Sequence, residues 1–467
     1  MGGSNDASPF KNLPFFNDFQ NNSQKTYSLG EYKEYSHGWW THYNDPDLNE
    51  LIEKLLSQNI ELKIAAERLI QAQEQINITQ AGLFPTLSAD GSAARRASPN
   101  NSNISGFPQS SGKNYSTSYD LGLSATWQID LFGKIRNQTK ATNASYLATV
   151  ANRDAVVQSL IAQLVNVRLS ISNITAEISL INQTIQSRKK SLAIIENRYK
   201  LGVESTSALD VRLARENVAA ADAQLPPIQS QLKEQIYALN ILLGEMPNKN
   251  SENSVSDFPV LPPPYRLALP PPVALLDLRP DLRADEYRLQ AEKYNLNVAM
   301  ANLYPSVSIS GGYGFSSNDL GDLISAEKMA WNLLSNITQP LFEGGRLRAN
   351  VRLSESRARE LANQYSQNIL LAVQDVENAL QQEENFRTQL DAIMTTNDEA
   401  QKAYSLAEDR YKRGLVNLTD LLDIERRILS QKQQILNVQQ AIWQARVNLH
   451  LALGGQWIDQ SALNQSN

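Results

Sequence analysis

Twice along 467 residues the chain passes from a helical period into strict alternation, and both passages use nearly the same words. "AGLFPTLS" starts at 81 and "ANLYPSVS" at 301; "WQIDLFGKIRNQTKA" at 127 resembles "ITQPLFEGGRLRANV" at 337; "ENRYKLG" at 196 matches "EDRYKRG" at 408. Three matched pairs in one order mark an internal duplication. Each half is expected to run helix, strand, strand, long helix, tip, returning helix. The boundaries this predicts are an extended arm over 1–45, a first repeat over 46–257, a proline-rich linker over 258–279, a second repeat over 280–456 and a tail over 457–467.

The helical stretches are long. In "NDPDLNELI", Asp45 is a candidate N-cap and Pro46 takes the first helical position, where its missing N–H costs nothing. Ile52, Leu55, Leu62, Leu69 and Ile76 keep a three-and-four spacing that predicts one helix ending near Gly82. A second helix is predicted over about 134–200, with an apolar seam from Val157 to Tyr199 that only Arg188 breaks. At 1.5 Å per residue such a helix reaches roughly 100 Å. The last helix repeats the device from Leu421 to Ala452, with Gln431 as its polar exception. A sustained seven-residue repeat supercoils helices around partners. Pro226 and Pro227 are expected to interrupt the helix leaving the first tip.

Between helices the side chains alternate. In "YSTSYDLGLSATWQIDL", Tyr115, Tyr119, Leu121, Leu123, Ala125, Trp127, Ile129 and Leu131 share one face, while Ser116, Ser118, Asp120, Ser124, Thr126, Gln128 and Asp130 share the other. Val307, Ile309, Tyr313 and Phe315, then Met329, Trp331, Leu333 and Ile337, repeat the pattern. Strands are predicted at about 84–96, 115–131, 304–316 and 328–341.

Composition bears on what covers the apolar face. The chain has no run of about 18 apolar residues, so a membrane crossing would have to be made of strands. Four strands leave two bare edges and cannot close a barrel, so several chains would have to share one. A small soluble sandwich on a coiled-coil scaffold carries the same alternation and stays open at this point.

The chemistry-bearing residues are few. Zero cysteines exclude disulfides, thiolate metal sites and a cysteine nucleophile. Of three histidines, His37 and His42 sit among aromatics in "SHGWWTH", a packing or surface pattern. Net charge −6 and pI near 5.4 argue against nucleic acid as a partner. With no phosphate loop or nucleophile motif, neither an enzyme nor a cofactor or metal is expected. No charged segment followed by an apolar one opens the chain, as expected of an exported protein already trimmed.

Both copies of the Leu-Phe/Tyr-Pro-Ser/Thr turn into a strand, "WQIDLFGKIRNQ", "LRPDLRADEYRLQAEKYNLNVAMANLYPSVSISGGYG" and the two "RYK-x-G" tips together resemble the TolC-type outer-membrane efflux channels, in the OprM-like branch that serves resistance-nodulation-division pumps. The resemblance spans about 45–456. It implies an α+β membrane protein: a trimeric β-barrel of four strands per chain, twelve in total, continued by a long α-helical barrel through the periplasm. The implied partners are two further copies, a periplasmic membrane-fusion adaptor, an inner-membrane transporter and outer-membrane lipids. That branch usually carries a lipidated N-terminal cysteine, and this sequence has none. A duct for protein secretion is the other reading within the family.

Control in such a pore belongs at the tips, expected at about 201–207 and 413–419. Asp420 and Asp423 stand three apart on one helix face; threefold symmetry would turn each into a ring of carboxylates attracting cations. The residues alone equally suit a solvated, dipole-favoured helix start. The resemblance implies a periplasmic gate at Asp420 and Asp423, held by its Tyr411, Arg410 and Arg413 neighbourhood with Leu418 and Thr419 beside it. Gly202, Val203, Glu204 and Asp210 on the first tip, with Gly414 and Leu415 on the second, are the expected adaptor-docking positions. Asp210 is displaced by one from the spacing at Asp423.

Overall fold

A computed structural model describes residues 38–43, 45–99, 113–203, 206–247 and 275–455. His37, Glu204, the linker before Leu275, the tail and the side chain of His42 lie outside the described residues. After a 3-10 turn at Trp39–Tyr43 come α1 (Pro46–Gln58), α2 (Ile60–Ala81), β1 (Thr86–Pro99), β2 (Lys113–Ile129), α3 (Lys134–Lys200), α4 (Ala208–Asp222) and α5 (Leu225–Leu242). The second half holds α6 (Leu275–Leu278), α7 (Pro280–Ala301), β3 (Ser306–Ser317), β4 (Met329–Thr338), α8 (Arg346–Lys412) and α9 (Leu418–Ala452). Two compact units result: Glu67–Ala151 with Ala284–Ser366, and the remainder.

The strand-bearing unit is an antiparallel sheet in the order β1-β2-β3-β4. Its register sorts the faces as the alternation predicts. Leu123 stands beside Tyr313, and Tyr313 beside Trp331. On the opposite face the Asp120 carboxylate accepts from Ser92 at 3.1 Å and Ser316 at 2.7 Å, and Asp90 accepts from Ser124 at 3.1 Å. β1 and β4 are edges, and every residue of β4 is exposed, Trp331, Leu333 and Ile337 included.

The other unit has a conventional apolar core. Leu48, Ile52, Leu55, Leu164, Val165, Leu239 and Leu243 pack there with Trp39, Trp40 and Tyr43. Asp45 caps α1 as expected, accepting the N–H groups of Asp47 and Leu48, both at 3.1 Å. Its second oxygen takes the buried Arg168 guanidinium at 2.6 Å. A buried charge persists only when paired in this way. Glu383 joins Arg446 and Arg387 similarly. Burial works against the Glu383 charge, but the two guanidinium groups outweigh it and hold its carboxyl below the usual range.

Several expectations are corrected. The single helix from Pro46 to Gly82 is two, because Asn59 donates to the Leu242 carbonyl at 2.7 Å and accepts the Leu62 N–H at 3.1 Å, serving two helix ends at once. The arm ends in buried aromatics rather than extended chain: Trp39 is 1% exposed and its ring stacks on His450 at 4.8 Å. The linker region ends in a helical turn with Leu275 and Leu276 buried. Although no unbroken apolar run exists, α3 contains an 18-residue stretch of mean hydropathy 1.3, and 56% of it is buried inside the protein. Its apolar surface is used by neighbouring helices. The predicted restart near Pro226 is present, with α4 ending at Asp222 and α5 beginning at Leu225.

The duplication is closer in structure than in sequence. α2 and α7 both have 22 residues, and α3 and α8 both have 67. Thr86 pairs with Thr126 as Ser306 pairs with Thr338, and each first hydroxyl donates to the second residue's carbonyl. Trp127 Nε1 donates to the Leu83 carbonyl at 2.9 Å where Gln339 Nε2 donates to the Leu303 carbonyl at 3.1 Å. Gly133 and Gly345 precede α3 and α8 with φ of 73° and 87°. Hence Trp127 corresponds to Gln339. The sequence match that set Trp127 against Ile337 by aligning the two Leu-Phe pairs is two residues out of register.

Candidate gate at the hairpin tips

Both tips close with one backbone motif. After α3, Gly202 N–H donates to Tyr199 O at 3.1 Å and Val203 N–H to Arg198 O at 3.2 Å. After α8, Gly414 N–H donates to Tyr411 O at 3.0 Å and Leu415 N–H to Arg410 O at 2.9 Å. The glycines have φ of 69° and 74°, the left-handed conformation such a C-cap requires.

Beyond the glycines the tips diverge. Ser207 and Asp210 form a reciprocal capping box: Asp210 N–H donates to Ser207 Oγ at 3.3 Å, and the Asp210 carboxylate accepts the Ser207 N–H at 2.7 Å. Asp210 thus matches Asp420, each being the third residue of its helix, rather than Asp423. Asn417, the cap of α9, makes no side-chain capping bond. Thr419, Asp420 and Asp423 are exposed. Among the described residues, Asp423 meets the exposed Arg426, at 3.4 Å.

The structure brings part of the expected set together. Leu418 is 3% exposed and packs with Ile195, Val211, Ala214, Leu422 and half-buried Tyr411, so its side chain holds the tip together. Arg413 pairs with Asp409 at 2.8 Å, and Arg410 is exposed. Across the two hairpins, the Arg198 guanidinium lies 5.3 Å from the Tyr411 ring centroid and donates to the Tyr411 carbonyl at 3.4 Å. Burial raises the Tyr411 phenol above its ordinary pKa; Arg198 opposes this and Asp210 adds to it. Deeper in, Arg188, 4% exposed, meets Glu425 at 3.2 Å and donates to the Asn217 carbonyl at 2.9 Å.

Sequence reasoning missed Arg198, Ser207 and the Arg188–Glu425 pair as tip residues. Two signals were present: Arg188 is the one break in the α3 seam, and Ser207-x-x-Asp210 has capping-box spacing.

An open sheet with one apolar and one polar face, joined to long paired helices with acidic tips, defines the subunit of an oligomeric membrane channel. The family model described as "Outer membrane efflux protein" matches residues 51–245 and 272–455, and the chain belongs to that family. The probable efflux pump outer membrane protein TtgC of Pseudomonas putida is 30% identical over 431 residues, covering 91% of this chain and 86% of that one. The probable outer membrane lipoprotein SilC of Salmonella typhimurium is 28% identical over 428 residues, covering 90% and 88%. The solved outer-membrane channel OprN superposes with a TM-score of 0.79 at 30% identity, covering 90% of this chain and 92% of that one. The chain is therefore an outer-membrane efflux channel of the TolC type.

Proposed function

We propose that the chain is the passive exit duct of a tripartite multidrug pump of the resistance-nodulation-division class, and that it is closed at the periplasmic tips. A periplasmic adaptor docks on Gly202, Val203, Glu204, Asp210, Gly414 and Leu415, and an inner-membrane transporter supplies the energy. Three copies and the surrounding outer-membrane lipids complete the duct; it needs no nucleic acid and performs no catalysis. The name of the relative TtgC, which describes an efflux pump outer membrane protein, supports the pump reading.

Asp420 and Asp423 form the selectivity rings, with Thr419 beside them and Tyr411, Arg410, Arg413 and Leu418 as the framework. The observation that carries this is the contrast between the tips: Asp210 is engaged in a capping box, while Asp420 and Asp423 are exposed, Asp423 beside Arg426 of its own helix. Three copies of each carboxylate in a narrow aqueous space attract cations and repel anions. In a planar bilayer under a salt gradient, Asp420→Asn with Asp423→Asn is expected to raise leak conductance and reduce cation preference several-fold. An unchanged reversal potential and conductance would place the gate elsewhere.

A further inference from the structure

The duplication predicts how one chain pairs with the next. Within the chain the first half meets the second along β2 and β3. In a closed barrel the second half must meet the first half of another copy along β4 and β1, since those are the edges. The two seams are the same junction made twice, so the observed β2–β3 register can be carried over once the correspondence between halves is fixed.

Two correspondences compete. Aligning the Leu-Phe pairs, Leu131-Phe132 with Leu341-Phe342, sets Trp127 on Ile337. The backbone sets Trp127 on Gln339, from the matched hairpin registers, the matched side-chain bonds to Leu83 and Leu303 carbonyls, the left-handed glycines and the helix starts at Lys134 and Arg346. The geometric one governs, because register is a property of backbone position.

We infer that β4 pairs with β1 of the partner subunit so that Asn336 stands opposite Ser92 of the partner subunit and Ser335 opposite Ala93 of the partner subunit. The source pairs are Ser124 with Gly312 and Leu123 with Tyr313. This rests on the trimeric-barrel reading and adds to it a specific seam.

The match of polar and apolar side chains across the seam, which played no part in deriving the register, favours it over its rival. On the polar face it sets Thr338 opposite the partner's Asp90, Asn332 opposite the partner's Arg96 and Leu334 opposite the partner's Ala94, so like meets like at these positions, with Ala330 opposite the partner's Ser98 the exception. The register two residues away keeps Asn336 opposite the partner's Asp90 and Thr338 opposite the partner's Ser88 matched, but mismatches three positions, setting Asn332 opposite the partner's Ala94, Leu334 opposite the partner's Ser92 and Ala330 opposite the partner's Arg96. On the apolar face, Ile337 comes beside the partner's Gly91 and Trp331 beside the partner's Ala97, bulky chains against small ones, while Leu333 comes beside the partner's Arg95. Both registers keep the apolar-face residues on that face, because they differ by two positions.

The absence of cysteine makes the test free of background. Ser92→Cys with Asn336→Cys reports the polar face, and Ala93→Cys with Ser335→Cys the apolar one. One face of an antiparallel pair carries the closer, non-hydrogen-bonded positions, so one of the two has disulfide geometry. Under mild oxidation, covalent dimers and trimers are expected from at least one of these variants. They are not expected from the competing pairs, Asp90→Cys with Asn336→Cys and Gly91→Cys with Ser335→Cys. Cross-linking of a competing pair alone, or of no pair in a protein that light scattering shows to be trimeric, overturns the register. A monomeric mass in detergent would instead overturn the trimeric reading itself.

Discussion

The two tips share a turn and differ in how the returning helix begins. Arg-Tyr-Lys-x-Gly closes each long helix with the same pair of backbone bonds, yet the first tip then fastens its returning helix with a capping box while the second leaves its acidic first turn unfastened. A duplicated unit has been specialised by a few side chains, one copy holding shape and the other holding charge. The division also explains why Arg198 comes from the first tip: its guanidinium reaches Tyr411 and ties the charged tip to the fastened one.

The severest way to break that division is to remove what lies beneath both tips. Glu425→Ala leaves Arg188 buried without its carboxylate, and losing one partner of such a pair costs about 3–5 kcal/mol. Hydrogen exchange should then accelerate in α9 and α4 near the tips, with β1–β4 unaffected. Next comes Ser207→Ala, expected to cost about 1 kcal/mol and to fray only the start of α4. The equivalent change at Asn417, which makes no side-chain capping bond, should leave α9 protection unchanged.

Gly202→Ala and Gly414→Ala sharpen the likeness instead. Each places a Cβ on left-handed backbone and should cost about 1 kcal/mol, equally at both tips, as read by thermal unfolding of the two variants.

The smallest expected effect is electrostatic. Tyr411 is held neutral above its ordinary pKa, so its contribution to stability is fully present below the unfolded phenol pKa and lost as pH rises through the folded one. The difference spectrum against Tyr411→Phe should show ionisation later than for a free phenol. Asp210→Asn should bring it earlier, since the Asp210 charge is one cause of the rise.

Much of this was legible in the sequence because periodicity survives translation into structure. Alternation from Tyr115 to Ile129 predicted the two faces, and Asp45-Pro46 predicted the start of α1. The break at Asn59 was not legible, because Ile52, Leu55 and Ile76 keep their phase across it and its cause is a bond to Leu242, far along the chain. Tyr411 was readable as a tip residue, but its partner Arg198 lies in the other half, and only folding brings them together. The two-residue misalignment arose because a repeated Leu-Phe pair outweighs geometry when letters alone are compared.

Equal helices of 67 residues in the two halves make length a counted quantity. The halves differ in their connections, between paired strands and around the tips, while α3 and α8 do not differ in length at all. Deleting seven residues from both helices would shorten the duct by about two turns and keep each apolar seam in phase. The same deletion in one helix alone would stagger its tip by about 10 Å. The duplication acts as a gauge: each half measures the other, and the tips meet only while the two counts agree.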